Sequence, residues 1–324
     1  MRPKEYRIKE LLRKKGLDGA IVSSPENFHY VTGFGGHQHT VSRQPGFTLA
    51  VMRADDKVPT HLTTMDFEAA TFRIKAAGLN FVVDPYDTWV GLKTWDEIAH
   101  GAVVPDKTAM ESSMDKLVQF MKACDLANKK VGIELDYLPV PYYKSLTEKF
   151  PEAEFVDISD LFVYARSVKQ PDEIEMFRKL CRIADHGFTE VSKIAKIGVS
   201  ERELVQCFRE DVIKSGFCAP SAWSMFSTGP SSARLTLPGD GVVKDGDVVK
   251  FDAGVNAEFD FYTTDTSRAW IIGNGDPVLL KLKDRLYEGQ RRMIAAAKPG
   301  LPINELYHTA YDYVKVMFPC YRRG

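Results

Sequence analysis

Lys250-Phe251-Asp252-Ala253-Gly254 and Thr264-Asp265-Thr266-Ser267-Arg268 read as two strands of one hairpin, each carrying an aspartate. Apolar residues flank both: Val248, Val249, Phe251 and Val255 before the turn, and Trp270, Ile271 and Ile272 after it. A carboxylate buried in such a strand is costly unless something positive neutralises it. A divalent cation would do so. The two aspartates are 13 positions apart, and an odd separation lets residues on adjacent antiparallel strands sit directly opposite and point to one face. The expectation is a pair of buried metal ligands, Asp252 and Asp265, gripping one site. Asp260 reads as a turn residue. Arg268, three positions after Asp265, should face the other side of the strand.

Upstream of the hairpin the pattern is helical. Pro171 followed by Asp172 and Glu173 is a helix start. Ile174, Phe177, Leu180, Ile183, Ala184 and Phe188 form a stripe at helical spacing, so a helix is expected from 171 to about 195. Ser200 with Glu203 three residues later is a capping box, and Gly216 ends that helix after Lys214. Two more helices are expected after the hairpin, over 277–297 and 303–318. His186 and His308 fall inside helices and read as surface or internally satisfied side chains.

The order of these elements contains a repeat. Ala195-Lys196-Ile197-Gly198-Val199-Ser200-Glu201-Arg202-Glu203-Leu204 aligns without gaps to Ala297-Lys298-Pro299-Gly300-Leu301-Pro302-Ile303-Asn304-Glu305-Leu306, with five identities at an offset of 102, and Val212 and Val314 stay in step. In the first copy the helices lead into the hairpin. The matching strands of a second copy would fall near 354–367, past Gly324.

Residues 1 to about 160 alternate short apolar runs with helical patterns, an α/β layer arrangement. Candidate strands are 19–23, 47–52, 81–83 and 130–134; candidate helices are 5–15, 65–77 and 114–126. Gly35-Gly36-His37-Gln38-His39 places two histidines on a glycine-flanked segment, but no third ligand lies nearby, so a solvated loop is expected.

Composition limits the remaining options. The 43 Lys and Arg balance 44 Asp and Glu, so bulk charge points to no nucleic-acid or acidic-membrane partner. The first residues carry no apolar leader, and no stretch approaches the ~20 apolar residues of a membrane span. A cytoplasmic protein is expected. Five scattered cysteines, Cys124, Cys181, Cys207, Cys218 and Cys320, without a C-x-x-C pair, argue against a disulfide framework or a structural zinc site.

The joint Ala165-Arg166-Ser167-Val168-Lys169-Gln170-Pro171-Asp172-Glu173-Ile174-Glu175, the run Lys244-Asp245-Gly246-Asp247-Val248-Val249, and the two aspartate segments resemble the pita-bread metallopeptidases, which include Xaa-Pro aminopeptidase, prolidase, creatinase and methionine aminopeptidase. The resemblance covers the whole chain. It implies an α/β creatinase-type N-terminal domain over 1–160 and an α+β pita-bread domain over 161–324, the latter incomplete: one half plus the helices of the other. It implies that Asp252 holds one metal and that Asp265 bridges two. The ions would be manganese first, with cobalt, iron or zinc as alternatives; the oxygen-rich ligands and lack of nearby cysteine favour manganese. A histidine and two glutamates complete the family's site. A homodimer and a peptide or small amide substrate are expected.

Three departures accompany the resemblance. The family's gap between the two aspartates is usually two residues shorter, which places an insertion within 256–260; two residues preserve the facing of both carboxylates. Aminopeptidase P-like relatives place a substrate-contacting histidine after a Gly-Pro-rich segment, whereas Thr228-Gly229-Pro230-Ser231-Ser232-Ala233-Arg234-Leu235-Thr236-Leu237-Pro238 has Thr236 or a neighbour there. Phe318-Pro319-Cys320-Tyr321-Arg322-Arg323-Gly324 resembles the approach to the next histidine-containing segment, cut short of it, so a fragment is expected. The function expected by resemblance is hydrolysis of the bond before proline. The alternatives are a creatinase-like hydrolase of a small non-peptide C–N bond, or a non-catalytic binding protein on the same fold.

Overall fold

A computed structural model describes residues 2–88, 94–101, 108–258 and 260–318. It divides into two units: Met1–Glu175 with Glu258–Phe261, and Met176–Ala257 with Tyr262–Gly324.

The first unit is built on a six-stranded sheet. Its strands are β1 (Gly19–Val22), β2 (Leu49–Arg53), β3 (Thr60–Thr63), β4 (Phe81–Val83), β5 (Lys130–Ile133) and β6 (Glu154–Asp157), in the order β4-β3-β2-β1-β5-β6. Pairings β1/β2 and β2/β3 are antiparallel; β3/β4, β1/β5 and β5/β6 are parallel. Side chains alternate across the sheet with period two. Ala20, Val22, Ala50, Met52 and Leu62 pack with α1 (Pro3–Lys14), α2 (Pro25–Thr32), α4 (Ala69–Ala76) and α8 (Ser159–Ser167). Ile21, Leu49, Val51, Val131 and Ile133 face α6 (Ala109–Ala123) and α7 (Val140–Lys149). The short helices α3 (His37–Thr40) and α5 (Trp95–Ala99) complete the unit.

Helix α9 (Pro171–Ile194) contains the division between the units. The second unit continues with α10 (Glu201–Lys214), β7 (Cys218–Pro220), β8 (Met225–Thr228), β9 (Val248–Ala253), β10 (Val255–Ala257), β11 (Thr266–Ile271), α11 (Pro277–Ala296) and α12 (Ile303–Met317). Ser200 caps α10: its side chain accepts from the Glu203 N–H, and Glu203 answers the Ser200 N–H at 2.8 Å. The antiparallel sheet β11-β9-β8 lies against the helices through Phe226, Val249, Phe251 and Ala253, which meet Leu180, Ala184, Phe188, Leu204 and Phe208.

The repeat read from the sequence has a structural counterpart. Gly198 and Gly300, 102 positions apart, both take left-handed backbone, with φ of 94° and 86°. Gly187 and Gly289 share the same offset and sit where two helices cross. A Cβ on Gly187 would come within 2.8 Å of Phe208, and one on Gly289 within 3.2 Å of Val314. Both pairs of helices therefore use a glycine in the first to admit a side chain of the second. The pairs differ in covering. Val212 and Val314 are both buried, but Leu280, Leu286, Tyr287, Ile294, Ile303 and Val316 on α11 and α12 are exposed.

Three strands, β3, β7 and β8, lie outside the segments read as strands from sequence, and β6 (Glu154–Asp157) was likewise unmarked. The Gly35–His39 segment is not a solvated loop. Residues 37–40 form a helical turn, and His39 is fully buried, its Nε2 2.7 Å from the Ser23 carbonyl. Cys124 and Cys218 are buried, Cys207 is half-buried and Cys181 is exposed; Cys320 lies outside the described residues.

Candidate metal centre

The hairpin register places the two aspartates on one face, but not directly opposite. Asp252 pairs with Ser267, and Ala253 with Thr266. The same register continues towards the turn, where Asn256 bridges Thr263 and the Thr264 N–H donates to the Val255 carbonyl at 3.0 Å. Asp265 thus falls across from Gly254, diagonal to Asp252 by two positions. Such a diagonal keeps both side chains on one face, with Cα atoms about 7–8 Å apart. Gly254 is required here: a Cβ would collide with the Thr264 carbonyl.

The expectation of buried carboxylates also needs correction. Along β9 the burial alternates, with Val249, Phe251 and Ala253 inward and Val248, Lys250 and Asp252 on the opposite face. Asp252 is half-buried and Asp265 exposed. The alternation was legible in β9 itself, where Lys250 shares the face of Asp252 and the opposite face carries only Val249, Phe251 and Ala253. Partial burial, and then the Asp265 carboxylate, raise the Asp252 pKa above the ordinary carboxylate value, while Lys250 opposes the shift. Two like charges held this close and partly desolvated favour a shared cation. Neither aspartate makes a hydrogen bond or ion pair with another described residue. The donor set fits a hard divalent ion as far as it goes, but no group of three or more His, Cys, Asp or Glu is gathered among the described residues.

Arg268 pairs with Phe251 on the helix side and reaches Asp185 at 2.8 Å, away from the aspartates. His186 is exposed and lies 2.8 Å from Asp211, which raises its pKa; His308 is exposed beside Asp312. The segment after β8 forms a short 3-10 turn, Gly229–Ala233, before an exposed stretch with Leu235 and Leu237 on either side of Thr236. Glu201, which sequence reasoning passed over, fastens this segment from beneath. Lys250 reaches it from the aspartate face, donating from Nζ to the Arg234 carbonyl at 2.8 Å. Asp260 is more than a turn residue: its Oδ1 is 3.3 Å from His29 Nε2 within the first unit, and His29 holds its carboxyl below the usual range.

Two family descriptions match the chain. The Creatinase/Prolidase N-terminal domain matches residues 6–168, and Metallopeptidase family M24 matches residues 175–324, the segment containing both aspartates. The chain belongs to the pita-bread metallopeptidases of family M24. It is 24% identical over 312 residues to an uncharacterized peptidase of Bacillus subtilis, covering 95% of this chain and 76% of that protein. It is 24% identical over 303 residues to the Xaa-Pro dipeptidase of Lactobacillus delbrueckii subsp. lactis, covering 93% and 74%. The solved Xaa-Pro dipeptidase of Bacillus anthracis superposes with a TM-score of 0.77 at 21% identity, covering 97% of this chain and 77% of that one. The fold is therefore the creatinase-type N-terminal domain joined to a pita-bread domain, and the family is one of divalent-metal hydrolases. No helix among the described residues is long and apolar enough to cross a membrane.

Proposed function

We propose that this M24 chain carries part of the metal site of an Xaa-Pro peptidase, with Asp252 and Asp265 as ligands. The observation that carries the reading is the placement of both carboxylates on one open sheet face, without structural partners, inside the segment that matches the peptidase family. Divalent ions bound there supply a Lewis acid for the scissile carbonyl and a water of lowered pKa. The chain's own contribution is to hold two oxygen ligands on adjacent strands whose register Gly254 fixes, and to present the Arg234–Pro238 segment, tethered through Lys250, over the same face. Manganese suits these oxygen ligands. Residues 161–324 form the peptidase portion in this reading, and residues 1–160 the N-terminal domain. The bond before proline is a tertiary amide whose nitrogen has no hydrogen to donate, a chemistry that calls for a dedicated site. The chain covers 76% and 77% of the length of two of its relatives, and in this reading the family's histidine and two glutamates complete the site that Asp252 and Asp265 begin. The test is release of the N-terminal residue from an Xaa-Pro peptide with added manganese by the protein, and loss of that release in Asp265→Ala. Undiminished turnover in the variant would sink the proposal.

A second reading is a creatinase-like hydrolase of a small non-peptide C–N bond. It is favoured by Thr236 or a neighbour standing where the resemblance to aminopeptidase P-like proteins would place a histidine. Cleavage of peptides with no action on small amidino compounds rules it out.

A further inference from the structure

Helices α9 and α10 of the second unit border a cleft of about 450 Å³. Helix α9 contributes Lys179, Arg182 and His186, which follow one another at i, i+3 and i+7 on one helix face, and α10 contributes Asp211, Lys214 and Ser215. Three cations thus meet one carboxylate, and Asp211 is already engaged by His186 at 2.8 Å. That contact raises the pKa of His186 and favours a further positive charge in the cleft. Asp185 pairs with Arg268 and Glu190 with Lys193, so neither is paired with a lysine of the cleft. Neither Lys179 nor Lys214 makes a hydrogen bond or an ion pair with a described residue. Lys179 Nζ rests 3.4 Å from the centroid of the Phe217 ring, which fixes the ammonium without neutralising it. The Ser215 hydroxyl accepts the Phe217 N–H at 3.4 Å and keeps its own hydrogen to donate.

The helix crossing does not require this charge. At an offset of 102 positions α11 and α12 cross in the same way, but Asp284, Glu288, Tyr313 and Val316 stand where α9 and α10 carry Arg182, His186, Asp211 and Lys214. The negative end of α10 accounts for a lysine only in its last turn, and the Ser215 and Gly216 N–H groups already bond the Val212 and Ile213 carbonyls there. Lys179 and Arg182 lie mid-helix, where like charges on one face repel. A bound anion removes that cost. We propose that the α9/α10 cleft binds a small phosphate-bearing anion. A guanidinium offers phosphate two parallel N–H groups, and the two ammonium groups add point charges beside it. The cleft has the volume of a small-molecule site. A nucleic-acid strand needs a basic track that continues along the surface, whereas Asp185, Glu190 and Glu210 follow on the same helices. None of the cleft residues belongs to the Asp252/Asp265 hairpin, so the inference stands apart from the peptidase reading.

The experiment titrates inorganic pyrophosphate calorimetrically into chelator-treated protein, so that no metal-bound anion contributes, with acetate and a single-stranded oligodeoxynucleotide as comparison ligands. Pyrophosphate should bind at one saturable site and acetate should not bind. Lys214→Glu and Arg182→Gln should each weaken the affinity by about tenfold or more, as expected when a charge-assisted contact is lost. Lys281→Glu, a charge reversal at the position that matches Lys179 in the second helix pair, should leave it unchanged. All three side chains are exposed, so the variants should keep the wild-type melting temperature. Absence of pyrophosphate binding overturns the inference. Equal weakening by Lys281→Glu also overturns it, because bulk charge would then be the cause. An oligonucleotide that binds more tightly than pyrophosphate and displaces it replaces the small-anion site with a nucleic-acid surface.

Discussion

Glu201 and Gly239 are joined by a 2.7 Å hydrogen bond from the Gly239 N–H to Glu201 Oε2, across 38 positions of sequence. The other carboxylate oxygen accepts the Thr228 N–H at 2.8 Å and the Ser231 hydroxyl at 2.7 Å. One buried acid at the start of α10 thus closes both ends of the segment that carries Thr236. Removing it leaves the Gly239 N–H without its acceptor and takes one of two acceptors from the Thr228 N–H and from the Ser231 hydroxyl, and hydrogen bonds to charged groups contribute about 1.5–3 kcal/mol each before relaxation. Glu201→Ala should lower unfolding free energy by about 3 kcal/mol in urea titrations. Glu201→Gln, which keeps one acceptor oxygen, should lose less. Hydrogen exchange at Gly239 should accelerate in the alanine variant, and a loss below 1 kcal/mol there would show that the segment is held by something else.

The cap of α10 is a separate, smaller contribution. Ser200 satisfies the Glu203 N–H, and Glu203 satisfies the Ser200 N–H. Ser200→Ala removes one half of this exchange, with an expected cost of about 1 kcal/mol. Ser200→Gly should cost only a few tenths. Equal losses from the two substitutions would argue that the effect is not capping.

What could be read from the sequence followed how locally each element is specified. The capping box at Ser200 and Glu203 and the proline and acids at 171–173 are local signals, and α9 and α10 begin at or next to them. The common face of Asp252 and Asp265 was legible as one of the two facings, because an odd separation permits it and the observed register has the parity that realises it. Their diagonal offset was not, because register depends on where the turn closes, and the longer hairpin moves that point. Strand β3, Thr60-His61-Leu62-Thr63, has a single large apolar residue and becomes a strand only because β2 and β4 flank it. His39 looked solvated because its neighbours are glycines and polar residues, whereas Phe28 packs edge-on against its ring at 5.3 Å in the folded unit.

That burial gives a pH dependence. Desolvation lowers the pKa of His39 from 6.5 to about 4, and its Nδ1 has no partner. The unfolded chain takes up the proton first as pH falls, so the contribution of neutral His39 is complete above pH 6.5 and is lost between there and about 4. The shift corresponds to a loss on the order of 3 kcal/mol. Glu134, buried and bonded to Ser23, Ser24 and Asn27, has its pKa raised by desolvation and works in the opposite sense, favouring the fold as pH falls. His39→Gln keeps a donor for the Ser23 carbonyl without a titrating ring. Its denaturation midpoint should fall less between pH 7 and 4 than that of the wild type; parallel pH profiles would exclude His39 as the source.

Asp265 gives the sharpest separation of a metal ligand from a structural residue. It is exposed, hydrogen-bonds to no described residue, and acts on the protein through repulsion of Asp252. Without metal, then, Asp265→Ala removes an unfavourable interaction and should leave the melting temperature unchanged or slightly higher. A ligand that binds only the folded state stabilises it by RT ln(1 + [L]/Kd), about 2.7 kcal/mol at a concentration of 100 Kd. Manganese titrated into the wild-type protein should therefore raise the melting temperature in a concentration-dependent way. The same titration of Asp265→Ala or Asp252→Asn should give a much weaker rise, because one oxygen ligand from the pair holds a divalent ion poorly. A structural role for Asp265 predicts the reverse pattern: a drop in the metal-free melting temperature and an undiminished response to manganese.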